Sequence, residues 1–234
     1  MRSHLLAALA ALAVPGFLAA QAPNTLSAEE KAAGFKLLFD GTAATDWRGY
    51  RQKTLPSAWT VVDGTLGLSG GNGEPSGGDI VTRDEYENFE LRLQWRIAKD
   101  GNSGIMYRVS EEYEAPYESG PEMQVLDDAG HADGKSRLTA AGSCFGLYPA
   151  PAGIVKPAGE WNDIRIIANG AHVEHWMNGV KVVEYELWSP EWRGRVLASK
   201  FKQWPGYGMS KKGRIALQDH GNAVSFRNIR VRKL

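Results

Sequence analysis

Carboxylates and an amide lie close together in Gly120-Pro121-Glu122-Met123-Gln124-Val125-Leu126-Asp127-Asp128. A Gly-Pro pair opens this stretch and Asp-Asp-Ala-Gly closes it, so it reads as a strand between two turns. Side chains alternate along a strand, which places Glu122, Gln124 and Leu126 on one face and Met123 and Val125 on the other. The apolar pair belongs to a core, and Glu122 and Gln124 then point into a cleft. Asp127 joins them only if a bulge adds a residue near Val125 or Leu126; without one, Asp128 does. Paired acids on one rigid face suit general acid/base work on a sugar. A polar, solvated strand face is the competing reading.

Other reactive residue types are sparse. Cys144 is the only cysteine, so it makes no internal disulfide, and a small buried hydrophobe is weighed against a nucleophile. No dense histidine or cysteine cluster exists, which excludes a closed structural zinc site; no cofactor is assigned, and a divalent ion on oxygen ligands stays open. The glycine-rich residues 70–78 lack the lysine of a phosphate loop and read as a flexible loop or cleft rim. Lys and Arg total 27 and so do Asp and Glu, so the chain carries no electrostatic footprint for nucleic acid or an anionic membrane. Of the eight tryptophans, Trp47, Trp59, Trp95 and Trp161 fall in strand-like patterns and are assigned mostly to the core.

These residues need a scaffold, and the 234-residue chain is long enough for one sizeable domain. Arg2 and His4 precede an apolar run over residues 5–14, and Ala20-Gln21-Ala22 is a small-x-small cleavage site. Residues 1–22 therefore read as a signal peptide, with a mature chain from Pro23 that is periplasmic or secreted and has no membrane span after processing. Ser27 and Glu30 form a capping box for a short helix over residues 28–33. Phe89–Ile97 alternates without error, five apolar residues against four polar ones. Asp63-Gly64, Asn169-Gly170 and Asn178-Gly179 mark hairpins, residues 101–104 read as a turn, and Ser189-Pro190 caps a short helix. Many short strands, few helices and no βαβ rhythm give an all-β, antiparallel two-sheet sandwich.

Several motifs then support a family resemblance. Phe39-Asp40-Gly41 with Asp46-Trp47, Gly101-Asn102-Ser103-Gly104-Ile105 with Arg108, the Gly120–Asp127 stretch, Gly159-Glu160-Trp161-Asn162, Asn178-Gly179, and Leu217-Gln218-Asp219-His220-Gly221 before Phe226-Arg227-Asn228-Ile229 occur in that order. Together they resemble the 3-keto-disaccharide hydrolase family over residues 34–234. The resemblance implies a concanavalin A-like jelly roll, related in fold to glucanases that carry E-x-D-x-x-E on a bulged strand. Here Glu122, Gln124 and Asp127 hold that spacing, with Gln for the middle Asp and Asp for the last Glu.

The implied substrate is a small carbohydrate, a glycoside oxidised to a ketone at carbon 3. Such a ketone acidifies the proton on carbon 2, so a base can remove it and the group on carbon 1 leaves by β-elimination, followed by water addition. The site needs a base, an acid for the leaving oxygen, and donors near the enolate oxygen. Glu122 and His220 are the proton-transfer candidates, since an imidazole titrates near neutral pH. Asn102, Arg108 and Gln124 would orient hydroxyls or stabilise the oxyanion. Lys200 would do likewise, against a plain surface lysine, and Asp127 would orient His220 or bind a divalent ion. Asp219 alternates with His220 and so faces away from it, into a turn. A glucanase-like hydrolase of unoxidised sugars and a non-catalytic carbohydrate-binding module are the alternatives.

Overall fold

The computed structural model describes residues 22–71 and 74–234. The expected leader falls almost wholly on residues 1–21, outside the described residues. Helix α1 (Ala28–Ala32) precedes β1 (Lys36–Leu37), β2 (Trp47–Gly49), β3 (Trp59–Val62), β4 (Thr65–Leu68), β5 (Ile80–Thr82), β6 (Phe89–Ile97), β7 (Asn102–Val109) and β8 (Glu122–Leu126). Then follow β9 (Asn162–Asn169), β10 (His172–Met177), β11 (Val180–Glu186), helix α2 (Pro190–Ala198), β12 (Arg214–Leu217) and β13 (Val224–Lys233). The larger sheet runs β11-β10-β9-β6-β13-β4-β3, with β1 also on β13; the smaller runs β2-β5-β12-β7-β8. Every pairing is antiparallel. The all-β sandwich read from the sequence is the fold observed.

Local chemistry explains the elements. Phe89, Leu91, Leu93, Trp95 and Ile97 are each at most 2% exposed, and they face Ile105, Met123 and Leu217 of the other sheet in one core. Burying each such side chain contributes about 1.5–3 kcal/mol. Asn178 and Gly179 have φ of 49° and 83°, and Asp63 and Gly64 have 49° and 69°, the left-handed pairs that two-residue hairpin turns require. Ser27 and Glu30 cap α1 reciprocally, and the Ser189 hydroxyl accepts the Trp192 N–H to start α2.

Two departures from expectation shape the site. Residues 102–104 are not a turn: they open β7, because the β8 edge pairs with them from Asn102 to Met106. Strand β7 also carries a bulge. Met106 faces Ala216 and Val109 faces Arg214, so three steps on β7 match two on β12. Arg108 is the residue in the left-handed conformation there, with φ of 52°.

One aromatic ladder joins β11 to α2. Tyr148, Tyr185, Trp192, Tyr207 and Phe201 stack in turn with ring centroids 4.7, 5.1, 6.0 and 4.0 Å apart. It ties α2 and the 3₁₀ turn Lys200–Gln203 to the core, which fixes where Lys200 and Trp204 stand.

Candidate active site

Glu122 stands opposite Met106, and Gln124 opposite Gly104. Facing residues of an antiparallel ladder share a side of the sheet. Met123 and Val125 enter the core, so Glu122 and Gln124 occupy the outer side of the smaller sheet. Gly104 makes the room: a Cβ there would lie 2.0 Å from Glu122 Oε1. That glycine is needed for a close approach and not for a turn. Residues 142–145 cover the edge, with Gly142 N–H donating to Gln124 O at 2.8 Å and Phe145 N–H to Glu122 O at 3.0 Å. Glu122 is left 6% exposed. Burial pushes its carboxyl up to about 8; the Lys200 charge opposes the rise, while Asp79 and Asp133 add to it.

From Glu122 the same side runs across Gly104 to Gln218, whose N–H donates to Gly104 O at 3.0 Å. Next comes Asp79, whose Oδ1 accepts the Asp219 N–H at 2.8 Å. A cleft of about 390 Å³ opens at this end, its lining including Tyr50, Asp79, Tyr117, Gln218 and His220. Asp79 keeps partial access to the cleft, yet protein crowds its carboxyl. Burial pushes it up to about 7, with the Asp219 N–H opposing and the Asp219 charge reinforcing the rise. Asp219 Oδ2 accepts the N–H groups of Ser76, Gly77 and Gly78 at 2.9, 2.8 and 3.1 Å, and Oδ1 that of Gly221 at 2.9 Å. The end of the glycine-rich segment is thereby pinned as the cleft rim.

Of the residues singled out above, His220 lines this cleft, and Glu122, Gln124 and Asn102 share the outer side of the smaller sheet. His220 is on the rim, its ring 6.3 Å and edge-on from that of His131. Asn102 lies on the side of Glu122 and Gln124. Gln124 Nε2 donates to Thr139 O at 3.2 Å, while Gln124 Oε1 and Asn102 Oδ1 have no partner among the described residues. Lys200 Nζ sits 4.5 Å from the Phe145 ring centre, and its charge is felt at Glu122.

Arg108 and Asp127 stand apart. The bulge and the left-handed backbone turn Arg108 out of the cleft, so Nε and Nη2 donate to Glu87 O at 3.0 and 2.8 Å beside the Trp188 ring. Between β7 and β8 the register is regular, so no extra residue brings Asp127 onto the Glu122 side. Asp127 instead accepts the N–H groups of Asp100 and Ala129 at 2.8 and 3.3 Å.

Asp79, His131 and the role of Gly104 were not read from the sequence. The one local hint for Asp79 is an acid closing the glycine-rich segment two residues before Val81, on the same face. Among the described residues, metal-donor atoms of three side chains meet only at His172, Glu174 and Glu184 on the larger sheet. There Lys181 already contacts the two glutamates at 3.4 and 2.6 Å. The cleft itself offers a carboxyl pushed up to about 7, that of Asp79, and the His220 imidazole; the raised carboxyl of Glu122 is buried on the same side of the smaller sheet, within reach of the Lys200 charge.

Comparison with known proteins adds to this geometry. Residues 34–232 match the 3-keto-alpha-glucoside-1,2-lyase-like domain. A Bacteroides thetaiotaomicron protein described as a 3-keto-disaccharide hydrolase is 37% identical over 238 residues, covering 90% of this chain and 82% of its own. A crystal structure of a candidate glycosyl hydrolase from Parabacteroides distasonis is similar with a TM-score of 0.83 and 35% identity, over 91% of this chain and 100% of that one. A second candidate glycosyl hydrolase from the same organism gives 0.67 and 30%, over 86% and 99%.

Proposed function

The chain belongs to the 3-keto-alpha-glucoside-1,2-lyase-like family, and on that premise we propose that it is an exported enzyme cleaving 3-keto-glycosides, 3-keto-disaccharides among them. The observation that carries the reading is Glu122: a buried carboxyl seated over Gly104, pushed up to about 8 and therefore protonated at neutral pH. A carboxylic acid in that state donates a proton to a leaving oxygen.

The base must lie elsewhere on the cleft. His220 takes this role, since its ring is open to the cleft, whereas Asp79 spends Oδ1 on the Asp219 N–H. His220 removes the proton from carbon 2, and the electron pair forms the enolate conjugated with the carbon 3 oxygen. The carbon 1–oxygen bond then breaks, and Glu122 protonates the departing alkoxide. Water adds across the resulting enone to give the free 3-keto sugar, so the net change is hydrolysis. Lys200 supplies positive charge near the enolate, while Gln124 and Asn102, buried with one unpartnered oxygen each, shape the floor beside Glu122.

Ordinary retaining hydrolysis is less well supported. It needs two carboxylates about 5 Å apart, and Asp127 is occupied by backbone N–H groups. Cleavage in deuterated water separates the mechanisms. Elimination and rehydration place deuterium on carbon 2 of the released sugar. Full retention of the original proton, with equal turnover of the unoxidised disaccharide, would return the chain to the glucanase reading. Export is checked in the native host, where mass spectrometry of the mature protein should find Pro23 first.

A further inference from the structure

The outer side of the larger sheet has two ends with different charge balance. At one end Glu90 meets Arg92 at 2.7 Å and Arg232 at 2.5 Å, and Glu30 meets Arg230 at 2.5 Å. At the other end Arg96 of β6 and Arg227 of β13 lie 4.8 and 4.0 Å from the ring centre of Trp161. Among the described residues neither is in an ion pair; Arg227 Nε donates to the neutral Gln94 Oε1 at 2.7 Å. A groove of about 410 Å³ runs beside them, lined also by Thr60, Thr65, Ser69 and Ser225, the Thr65 hydroxyl donating to Val62 O at 2.8 Å. Asp63 is the acid in that lining and lies beyond ion-pair distance of both guanidinium groups. Two like charges share one ring, and neither is within ion-pair distance of Asp63 or of Asp163, whose charge reaches Arg227 and whose Oδ1 accepts from Gln94 Nε2 at 2.7 Å; an anion seated in the groove would pair with both directly.

We propose that this groove is a second, non-catalytic binding site for a carboxylated polysaccharide, one built from uronate sugars. Guanidinium forks match a carboxylate in two parallel hydrogen bonds, and the indole ring holds both forks in place. Thr60, Ser69 and Ser225 serve the sugar ring that carries the carboxylate. The groove is on the opposite side of the sandwich from Glu122, so a bound chain leaves the cleft open. The site holds the protein on acidic glycan, whatever reaction the cleft performs.

Native affinity electrophoresis of the whole chain tests this, with polygalacturonate, dextran sulfate or neutral dextran cast in the gel. Polygalacturonate should retard the protein and neutral dextran should not. The double variant Arg96→Gln/Arg227→Gln should bind polygalacturonate at least about tenfold more weakly, because each change removes a charge-assisted contact. Its cleavage of a 3-keto-disaccharide should be unchanged. Arg96→Gln alone, at an exposed position, gives a partial loss and serves if the double variant folds poorly. Absence of retardation by polygalacturonate, retardation by dextran sulfate only, or equal retardation of wild type and variants would overturn the proposal.

Discussion

Glu111 and Glu122 stand at two ends of the smaller sheet and are the same residue in opposite electrical states. Glu111 is clasped by Arg48 at 2.5 Å and Arg214 at 2.8 Å, and it accepts the Arg51 N–H at 2.8 Å. Those partners, Arg48 first, hold its carboxyl down to about 2. Glu122 has no arginine. It is seated in the space that Gly104 leaves, under residues 142–145, and burial pushes it up to about 8. The first arrangement stabilises the fold, since a carboxylate paired this way contributes when ionised. The second costs stability and keeps a proton available at neutral pH. A sheet can thus place one acid as a clasp and another as a catalyst by choosing what surrounds them, with no change in the acid itself.

The largest expected effect lies at Glu122. Glu122→Gln keeps the shape and removes the transferable proton, so cleavage of a 3-keto-disaccharide should fall about 10²–10⁴-fold. Gly104→Ala should lose about 10²-fold in the same assay, because the new methyl group displaces the carboxyl rather than deleting it. The glutamine variant should also be more stable than wild type. Between pH 4.5 and 8 the folded chain holds a proton on Glu122 that the unfolded chain releases. Stability therefore declines as pH rises through that window, and the penalty is complete above it. Urea unfolding at pH 5 and pH 8.5 should show the variant's advantage growing with pH, to on the order of a few kcal/mol. A constant difference would mean that Glu122 is an ordinary carboxylate, and the contrast with Glu111 would disappear.

Glu111→Gln should show the reverse pattern, with a smaller effect. Cleavage should be untouched, while stability at pH 7 drops by about 1–3 kcal/mol as Arg48 and Arg214 lose their shared partner. The folded pKa of about 2 is below the ordinary 4.5, so this contribution is present above pH 4.5 and is lost as pH falls toward 2. Denaturation curves of variant and wild type should converge on acidification. Curves that stay apart at pH 2–3 would show that the glutamate acts through packing and not through its charge.

How far these two ends could be read in advance differs for physical reasons. The alternation in Phe89–Ile97 and the turn pairs Asp63-Gly64 and Asn178-Gly179 are local, and local rules were enough to place them. Glu122 and Gln124 share a face because period two holds over a short strand. Arg108 escaped that rule because one bulge residue in a left-handed conformation reverses the alternation. Gly104 looked like turn chemistry because a glycine needed for a neighbour's carboxyl is indistinguishable, in one dimension, from a glycine needed for its φ. Asp79 meets Asp219 across 140 residues through the β5–β12 pairing, and no spacing along the chain announces that contact.

Two charges near Glu122 act on it in opposite directions, which supplies the finest test of the comparison. Asp79 raises the Glu122 pKa and Lys200 lowers it. Asp79 titrates near 7, so it is ionised where Glu122 begins to lose its proton. Asp79→Asn removes that negative charge, Glu122 then ionises more easily, and the alkaline limb of the pH–rate profile moves to lower pH. Lys200→Gln removes the positive charge, Glu122 holds its proton longer, and the same limb moves to higher pH. Either change should alter the rate by less than about tenfold through this route at any one pH, and each can also reduce the maximal rate if the group touches substrate. The position of the limb is therefore the informative quantity, and its height is not. Because neighbouring carboxyls titrate as a pair, the limb reports an apparent value that belongs to both, yet the two displacements keep their opposite signs. The profile of kcat/KM on a 3-keto-disaccharide, taken from pH 5 to pH 10 for wild type and both variants, reads them directly. Two shifts in the same direction, or none, would show that the acid governing the alkaline limb is not Glu122.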